Sequence, residues 1–214
     1  MGNGVDITFE QGALVTCHYT GSNINVITQF SPFLFHGEWE RPTGFAEVDG
    51  FAIHGLRFEG SNTRYVVHDE AGGKGVPYKN IYDHCEFTFD GTINNYPQII
   101  GGGLGQSGEI IIKDCIFNTT PYTDRETAFP AVSYHNNNSG SDTDLSSIVV
   151  SGCAFMGRLN TLRLGYIGAS PRVTKCLAHS NLFRAEPFVF AENETSTHVN
   201  MELIAYANEI RQTN

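Results

Sequence analysis

Charge is scarce in this chain of 214 residues, and positive charge is the scarcer sign. Asp, Glu, Lys and Arg make up 17% of the residues, and 13 Lys and Arg stand against 23 Asp and Glu. The resulting formal net charge of −10 argues against a nucleic-acid-binding surface, which needs a basic face. We therefore predict no nucleic-acid partner.

Long apolar runs and paired cysteines are also missing. No stretch approaches the ~18 apolar residues of a membrane-spanning helix, so no membrane span is predicted. The five cysteines (17, 85, 115, 153 and 176) do not show the paired spacing of a zinc site, and no metal site is predicted. Free interior thiols suit a protein that folds in a reducing cytoplasm, even if it later works outside a cell.

Glycine and aromatic residues are plentiful by contrast. The chain has 23 Gly, 15 Phe and 9 Tyr. Short stretches of Val, Ile, Phe and Thr alternate with turn residues, which favours an all-β fold.

One hydrophobic signature recurs six times, and the residue that anchors each copy sets the period. The steps between successive anchors are 29, 30, 38, 28 and 27 residues, a range that indicates a solenoid. Residues five and three places before the anchor, the anchor, and the residue two places after it are predicted to point inward. The anchors are Leu56, Cys85, Cys115, Cys153, Asn181 and Asn208.

The alternation of inward and outward residues shifts by one residue just before each anchor, because two outward residues instead of one separate the inward residues there. A straight strand with this shift would turn its second half outward, so we predict a tight bend that returns both halves to one interior. Small or turn-forming residues are typical of such a corner. The predicted corner residues are Gly55, His84, Asp114, Gly152, Ser180 and Ala207.

A third apolar run follows each unit, at 65–68, 98–100, 131–133, 161–164 and 188–190. The repeats share the sequence motif I-x-I-x-x-N/C-x-F, and over residues 48–214 this pattern resembles the pectate-lyase-like superfamily. The resemblance implies a single-stranded right-handed parallel β-helix of about six to seven turns, with three short strands per turn. Residues 1–47 are expected to form irregular N-terminal turns of the same domain.

The two ends of the chain carry further expectations. The opening VDITFEQGALV is similar to the openings of viral tailspikes and of polysaccharide-degrading β-helices. The tailspike resemblance implies a homo-oligomer, a trimer. The chain ends almost directly after Ile210 without a visible cap, although solenoids need a cover on the last repeat. We therefore expect either a piece of a longer protein or an oligomer partner that covers this end.

In this superfamily, substrate lies along the outer face of the sheet formed by the third run, between the loops on either side. Transferred to this chain, that face includes Val66, His68, Ile100, Ser133 and Arg163, which we expect to be exposed. Residues 68–78 and 101–108 are expected to be loops beside it. The candidate substrate-binding residues are His68, Tyr122, Asp124, Glu126, Tyr134, His135 and Tyr166.

The candidate catalytic residues are Asp69, Glu70, Glu192 and Arg163. A glycosidase needs two facing carboxyl groups, about 5–9.5 Å apart, and the three acidic residues offer them. A lyase needs a base beside the uronate and a cation that holds its carboxylate, and Arg163 matches the family's catalytic arginine in type and place. No cofactor is predicted, apart from Ca²⁺ in the lyase case.

The specific pectin-degrading signatures are absent. The chain has no Asn-Thr-Asp, Asp-Asp, Gly-His-Gly or Arg-Ile-Lys segment of a polygalacturonase, and no Trp-Ile-Asp-His segment of a pectate lyase. The leading hypothesis is a bacteriophage tailspike or appendage domain, on the virion surface or extracellular, that binds a bacterial surface polysaccharide; whether it also cleaves it is left open. The alternatives are a cellular polysaccharide lyase or glycoside hydrolase, and a non-enzymatic structural or assembly module.

A polar column is expected two places before the anchors. We interpret it as a solvated charge ladder, together with Arg57 and Glu86, worth a few tenths of a kcal/mol per pair. Its members are His54, Asp83, Lys113, Ser151, His179 and Tyr206.

Overall fold

The structure is a computed structural model. It describes residues 5–18, 20, 34–37, 50–61, 65–70, 78–90, 98–104, 108–119, 131–136, 145–156, 162–167, 173–184, 189–190 and 200–211. Within these ranges the chain forms strands, corners and turns, and no helix. No helix among them is therefore long and apolar enough to cross a membrane.

In the described ranges, twenty strands form three parallel sheets, and strands that are neighbours in a sheet are three places apart in the chain order. The first sheet contains β1 (Val5–Thr8), β4 (Gly50–His54), β7 (Tyr78–Asp83), β10 (Gly108–Lys113), β13 (Leu145–Ser151), β16 (Val173–His179) and β19 (Asn200–Tyr206). The second contains β2 (Val15–His18), β5 (Arg57–Ser61), β8 (Glu86–Asp90), β11 (Ile116–Thr119), β14 (Ala154–Phe155), β17 (Leu182–Phe183) and β20 (Glu209–Ile210). The third contains β3 (Leu34–Gly37), β6 (Tyr65–Glu70), β9 (Gln98–Leu104), β12 (Val132–Asn136), β15 (Leu162–Ile167) and β18 (Val189–Phe190).

This topology confirms the all-β prediction and the parallel stacking of the repeats. The described residues form three parallel sheets, an arrangement that is compatible with a parallel β-helix. The described part of residues 1–47 joins the same sheets, since β1 pairs with β4, β2 with β5 and β3 with β6.

The predicted inward positions are buried in the first five repeats. Four phenylalanines two places after the anchor stack through the interior, with ring centroids 5.4, 4.9 and 5.0 Å apart. Burial of such rings supplies most of the hydrophobic stabilisation of the core. The stacked rings are those of Phe87, Phe117, Phe155 and Phe183.

The anchor position changes its chemistry along the stack. Cys85, Cys115 and Cys153 are buried free thiols, as the sequence predicted. At the next repeat Asn181 takes over, and its amide oxygen accepts the Cys153 N–H at 2.9 Å. Its amide nitrogen donates to the Val150 carbonyl and to Asn208 Oδ1, each at 3.0 Å, so the buried polar group is satisfied.

All six predicted corner residues have a left-handed backbone, with φ between 52° and 71°. This confirms the bend. Hydrogen bonds continue across it: the corner N–H of His84 donates to the Lys113 carbonyl at 3.1 Å, and that of Asp114 donates to the Ser151 carbonyl at 2.9 Å. The continuous ladder offsets the cost of about 1–2 kcal/mol that a non-glycine residue incurs in this conformation.

The sixth repeat departs from the predicted burial. Ala205 is exposed, and Ile210 is 54% exposed although it occupies the position of the buried phenylalanines. Since β19 and β20 are the last strands of their sheets among the described residues, Ala205 and Ile210 have a neighbouring described strand on one side only. The repeat pattern therefore predicts an inward direction but not burial.

Candidate functional site

The predicted site residues fall into three groups. Tyr122, Asp124, Glu126 and Glu192 lie outside the described residues. His68 and Tyr134 have described side chains. Asp69, Glu70, His135, Arg163 and Tyr166 are placed by their backbone register in the third sheet.

The expectation of an exposed outer face on the third sheet is wrong for its described side chains. Val66 and Ile100 are fully buried, and His68 and Ser133 are 5% and 6% exposed. A strand that is buried on both faces of a parallel sheet has a continuous run of apolar residues in its sequence. The segments 65–67 and 99–100 are such continuous apolar runs, so the prediction that only one face of this sheet is buried is wrong for them.

Tyr134 and His68 need the same correction. Tyr134 is 0% exposed and belongs to the hydrophobic core cluster, so its ring is not on a sugar-contacting surface. The His68 ring stacks on that of Tyr65 with centroids 4.2 Å apart and an interplanar angle of 3°. Burial makes both residues part of the packing of the third sheet.

The predicted loops at 68–78 and 101–108 also begin later than expected. Strand β6 continues to Glu70, and strand β9 runs through three glycines to Leu104. Asp69 and Glu70 pair with Gly102 and Gly103 of β9. These acidic residues therefore lie on a strand and not in a loop.

The register of the third sheet brings three of the predicted residues into one column. Glu70 pairs with Gly103, Gly103 with His135, and His135 with Tyr166. We call this the carboxyl-end column, because it lies near the carboxyl ends of β6, β9, β12 and β15. A second column, two places earlier in β6, contains His68, Gly101, Ser133 and Arg163.

Glycines separate the strands that carry these residues. Gly101 and Gly102 are buried, and glycine within a strand often marks a place where another group approaches the backbone closely. Because parallel strands are about 4.8 Å apart, the strands of Glu70 and His135 lie about 9–10 Å apart with no side chain at position 103 between them. A carboxylate, an imidazole and a phenol are groups that hydrogen-bond hydroxyl-rich ligands.

A second polar cluster lies at the corner between the first and second sheets. Asp83 is 14% exposed at its side chain, and its Oδ2 accepts from His54 Nδ1 at 2.9 Å and from Lys113 Nζ at 3.3 Å. Its Oδ1 lies 2.5 Å from His84 Nδ1. His54 Nε2 also lies 3.5 Å from Asp6. The polar ladder expected from the sequence is thus a connected network in this region.

The network lowers the pKa of Asp83. Partial burial raises this pKa, but hydrogen bonds from His54, His84 and Lys113, together with the positive charge of Lys113, outweigh burial and keep the carboxylate ionised.

One potential ligand atom from each of Asp83, His84 and Asp114 lies within 4.8 Å of the other two, a spacing at which the three groups could hold a metal ion. A cation there would compete with Lys113 for Asp83. The sequence analysis predicts no metal site, but the signal is present in the segments DHC and KDC, where His84 and Asp114 occupy two successive corners.

Lys79 and Glu109 form a separate outer pair at 2.9 Å, and Arg57 pairs with Glu86 at 3.0 Å as the sequence predicted. All four side chains are 41–51% exposed, so each pair contributes little to stability.

In comparisons with known proteins, no family model, no curated protein and no solved structure matches this chain. The fold and the register of its strands therefore carry the functional argument.

Proposed function

We propose that this chain is a β-helix domain of a bacteriophage tailspike or appendage that binds a polysaccharide of the bacterial surface. The carboxyl-end column of Glu70, His135 and Tyr166 supports this proposal, because residue types suited to sugar hydroxyls and sugar faces share one register with a glycine between them. The right-handed coil of the pectate-lyase-like superfamily is part of the same proposal, and three parallel sheets are compatible with it.

The proposed activity is binding of the polysaccharide and not its cleavage. Hydrolysis of a glycosidic bond needs two carboxyl groups across the scissile bond. The carboxyl-end column contains one, Glu70, while Asp69 belongs to the neighbouring column with Gly102 and Tyr134. A lyase would use His135 as a base beside the strand of Arg163, and that route needs an acidic polysaccharide as substrate.

A screen of the full chain against an array of bacterial surface glycans tests the proposal. We expect binding to one structural class of glycan, and weaker binding by a Glu70→Gln and His135→Ala double variant. Glu86→Gln, on the second sheet, is the matched control and should bind like the wild type. No binding to any glycan by the assembled protein would contradict the proposal, whereas new reducing ends or unsaturated uronates would add cleavage to it.

A non-enzymatic structural module of the virion is the second candidate. The burial of both faces of the third sheet at 65–68, 99–102 and 131–134 favours it, because an open cleft is not seen at these described positions. Under this reading, particles that carry the Glu70→Gln and His135→Ala variant attach and infect as the wild type does. Loss of attachment by otherwise intact particles would exclude it.

A further inference from the structure

Three side chains with metal-binding groups meet at the corner between the first and second sheets. Asp83 is the last residue of β7, His84 is the corner residue that follows it, and Asp114 is the corner residue of the next repeat. Asp83 pairs in register with Lys113, the residue directly before Asp114, and this register brings the three together. One potential ligand atom from each lies within 4.8 Å of the other two. We call these three residues the corner triad.

Hydrogen bonds of the main chain fix the two corner residues of the triad. The N–H of His84 donates to the Lys113 carbonyl, and the N–H of Asp114 donates to the Ser151 carbonyl. Both residues are therefore held by the following repeat before any ligand arrives. Groups that are already in place lose less conformational entropy when they bind a ligand, so the main chain favours binding at this corner.

The following corner provides the space for the Asp114 carboxylate. Gly152 is the next residue in the column of corners, and a Cβ added to it would meet Asp114 Oδ1. Any larger residue at this corner would therefore displace the carboxylate. This contact involves neither Asp83 nor His84, so it is an observation independent of the triad itself. It shows that the neighbouring repeat leaves a place for the third ligand.

The hydrogen bonds of Asp83 leave one of its oxygens for the triad. Its Oδ2 accepts from His54 Nδ1 and from Lys113 Nζ, while its Oδ1 faces His84, whose Nδ1 lies 2.5 Å away. Carboxylates that bind metal ions are held by hydrogen bonds from such outer groups. The side chain of Asp83 is 14% exposed and that of His84 is 69% exposed, so the triad is open to solvent on its His84 side.

We propose that the corner triad binds a divalent transition-metal ion, and that Zn²⁺ fits it best. The triad offers one imidazole nitrogen and two carboxylate oxygens, which are donor types that Zn²⁺ takes in proteins. Ca²⁺ and Mg²⁺ prefer oxygen ligands alone, so the imidazole of His84 selects against them. The bound ion links two successive repeats, because Asp83 and His84 belong to one repeat and Asp114 to the next.

Lys113 limits the affinity of the site. Its Nζ lies 3.3 Å from Asp83 Oδ2, and this positive charge repels a metal ion at the triad. The Lys113 side chain is 42% exposed and has a flexible stem, so it can turn toward solvent while His54 keeps its hydrogen bond to Asp83. The triad lies between the first two sheets, and the inference is therefore independent of the proposed carbohydrate site on the third sheet.

Calorimetric titration of the full chain with ZnCl₂, after removal of metal by a chelator, tests the proposal. We expect one Zn²⁺ per chain at the strongest site and much weaker binding of Ca²⁺. His84→Asn and Asp114→Asn should each weaken Zn²⁺ binding at least about tenfold, and Asn is chosen because it tolerates the left-handed backbone of a corner. Lys113→Gln should strengthen binding about tenfold, because it removes the repelling charge.

His179→Asn is the matched control, because His179 also precedes an anchor by two places but contacts the hydroxyl of Ser180 at its corner. It should bind Zn²⁺ as the wild type does. Should a triad variant fail to fold, NMR of the wild type locates the ion: Zn²⁺ should shift the ring signals of His84 and leave those of His179 unchanged. The proposal would be overturned by a wild type that binds no Zn²⁺ or binds Ca²⁺ as tightly. Zn²⁺ affinity that is unchanged in both folded triad variants, or a His84 ring that does not respond to Zn²⁺, would overturn it as well.

Discussion

Single corner residues decide whether each repeat can turn. Six of them have a left-handed backbone, and four of the six are not glycine. At Gly152 two constraints coincide, since its φ is +65° and an added Cβ would meet the carboxylate of Asp114 from the preceding corner. Gly12, with a φ of +88°, has open space around its missing side chain.

Gly152→Ala should therefore destabilise the protein more than Gly12→Ala does. We expect a loss of about 1 kcal/mol in the free energy of unfolding at Gly12, from the backbone conformation alone. At Gly152 we expect about 2–4 kcal/mol, because the clash adds to it. Denaturant unfolding measures both, and Asp114→Ala in the Gly152→Ala background should recover the part due to the clash. Equal losses at the two glycines would contradict this account.

Asp83 makes part of the stability dependent on pH. Its pKa in the folded protein lies below the ordinary value of 3.8, so its network stabilises the fold above that pH and is lost as the pH falls through the folded-state pKa. The difference in unfolding free energy between the wild type and Asp83→Asn should be largest near neutral pH and should shrink below about pH 4.

Glu209 provides the control for this pH series. Its pKa is lowered by a hydrogen bond from Arg211, but both side chains are more than half exposed, where an ion pair contributes little. Glu209→Gln should leave the pH dependence of unfolding unchanged. A difference between the wild type and Asp83→Asn that stays constant down to about pH 2 would show that the charge of Asp83 is not involved.

At the scale of elements, the repeats are held together by side chains at the anchor position. Asn181 is 1% exposed and links three repeats through its amide group. Asn181→Ala leaves the buried Cys153 N–H and the Val150 carbonyl without these partners, which should cost about 2–4 kcal/mol in unfolding free energy. Asn118, exposed on the second sheet, is the control, and Asn118→Ala should change stability by less than about 0.5 kcal/mol. Similar losses for both variants would contradict the account in which the Asn181 amide group links the repeats.

The sequence predicted the first two sheets better than the third. The alternation of inward and outward residues, with its shift before each anchor, predicted the inward residues and the corners correctly. These features follow from local geometry, and the left-handed backbone at the corners agrees with the predicted bend. The face of the third sheet was misjudged because its runs, such as Tyr65–Val67, are buried on both sides. Tyr134 looked like a loop aromatic and is a core residue.

The candidate site was predictable only in part for a similar reason. Residue type selected Glu70, His135 and Tyr166, but their common column depends on the register of β6, β9, β12 and β15. A shift of one residue at the irregularity between Tyr134 and His135 decides that His135 pairs with Tyr166. No local pattern in the sequence encodes that shift.

At the scale of the whole molecule, one interior runs through the described repeats and shields the thiols. Burial raises the pKa of Cys176 to about 12. Hydrogen bonding to the thiols of Cys153 and Cys85, together with burial, raises the pKa of Cys115 well above its ordinary value. Cys17 is partly exposed.

Alkylation by iodoacetamide near pH 8, followed by mass spectrometry, should thus modify Cys17 first in the native protein. Cys115 and Cys176 should react only after unfolding, because the thiolate is the reactive form and the core must open to admit the reagent. Native labelling of Cys176 as fast as that of Cys17 would show that the interior is open.

The central claim is that the carboxyl-end column of the third sheet binds a bacterial polysaccharide. Titration calorimetry with a glycan identified by the array tests it most directly, with Tyr166→Ala as the site variant and Tyr206→Ala, a 52% exposed position on the first sheet, as the control. The account predicts about tenfold weaker binding for Tyr166→Ala, equal to about 1.4 kcal/mol, and unchanged binding for Tyr206→Ala. Unchanged binding by Tyr166→Ala, or no carbohydrate binding by the wild type, would contradict it.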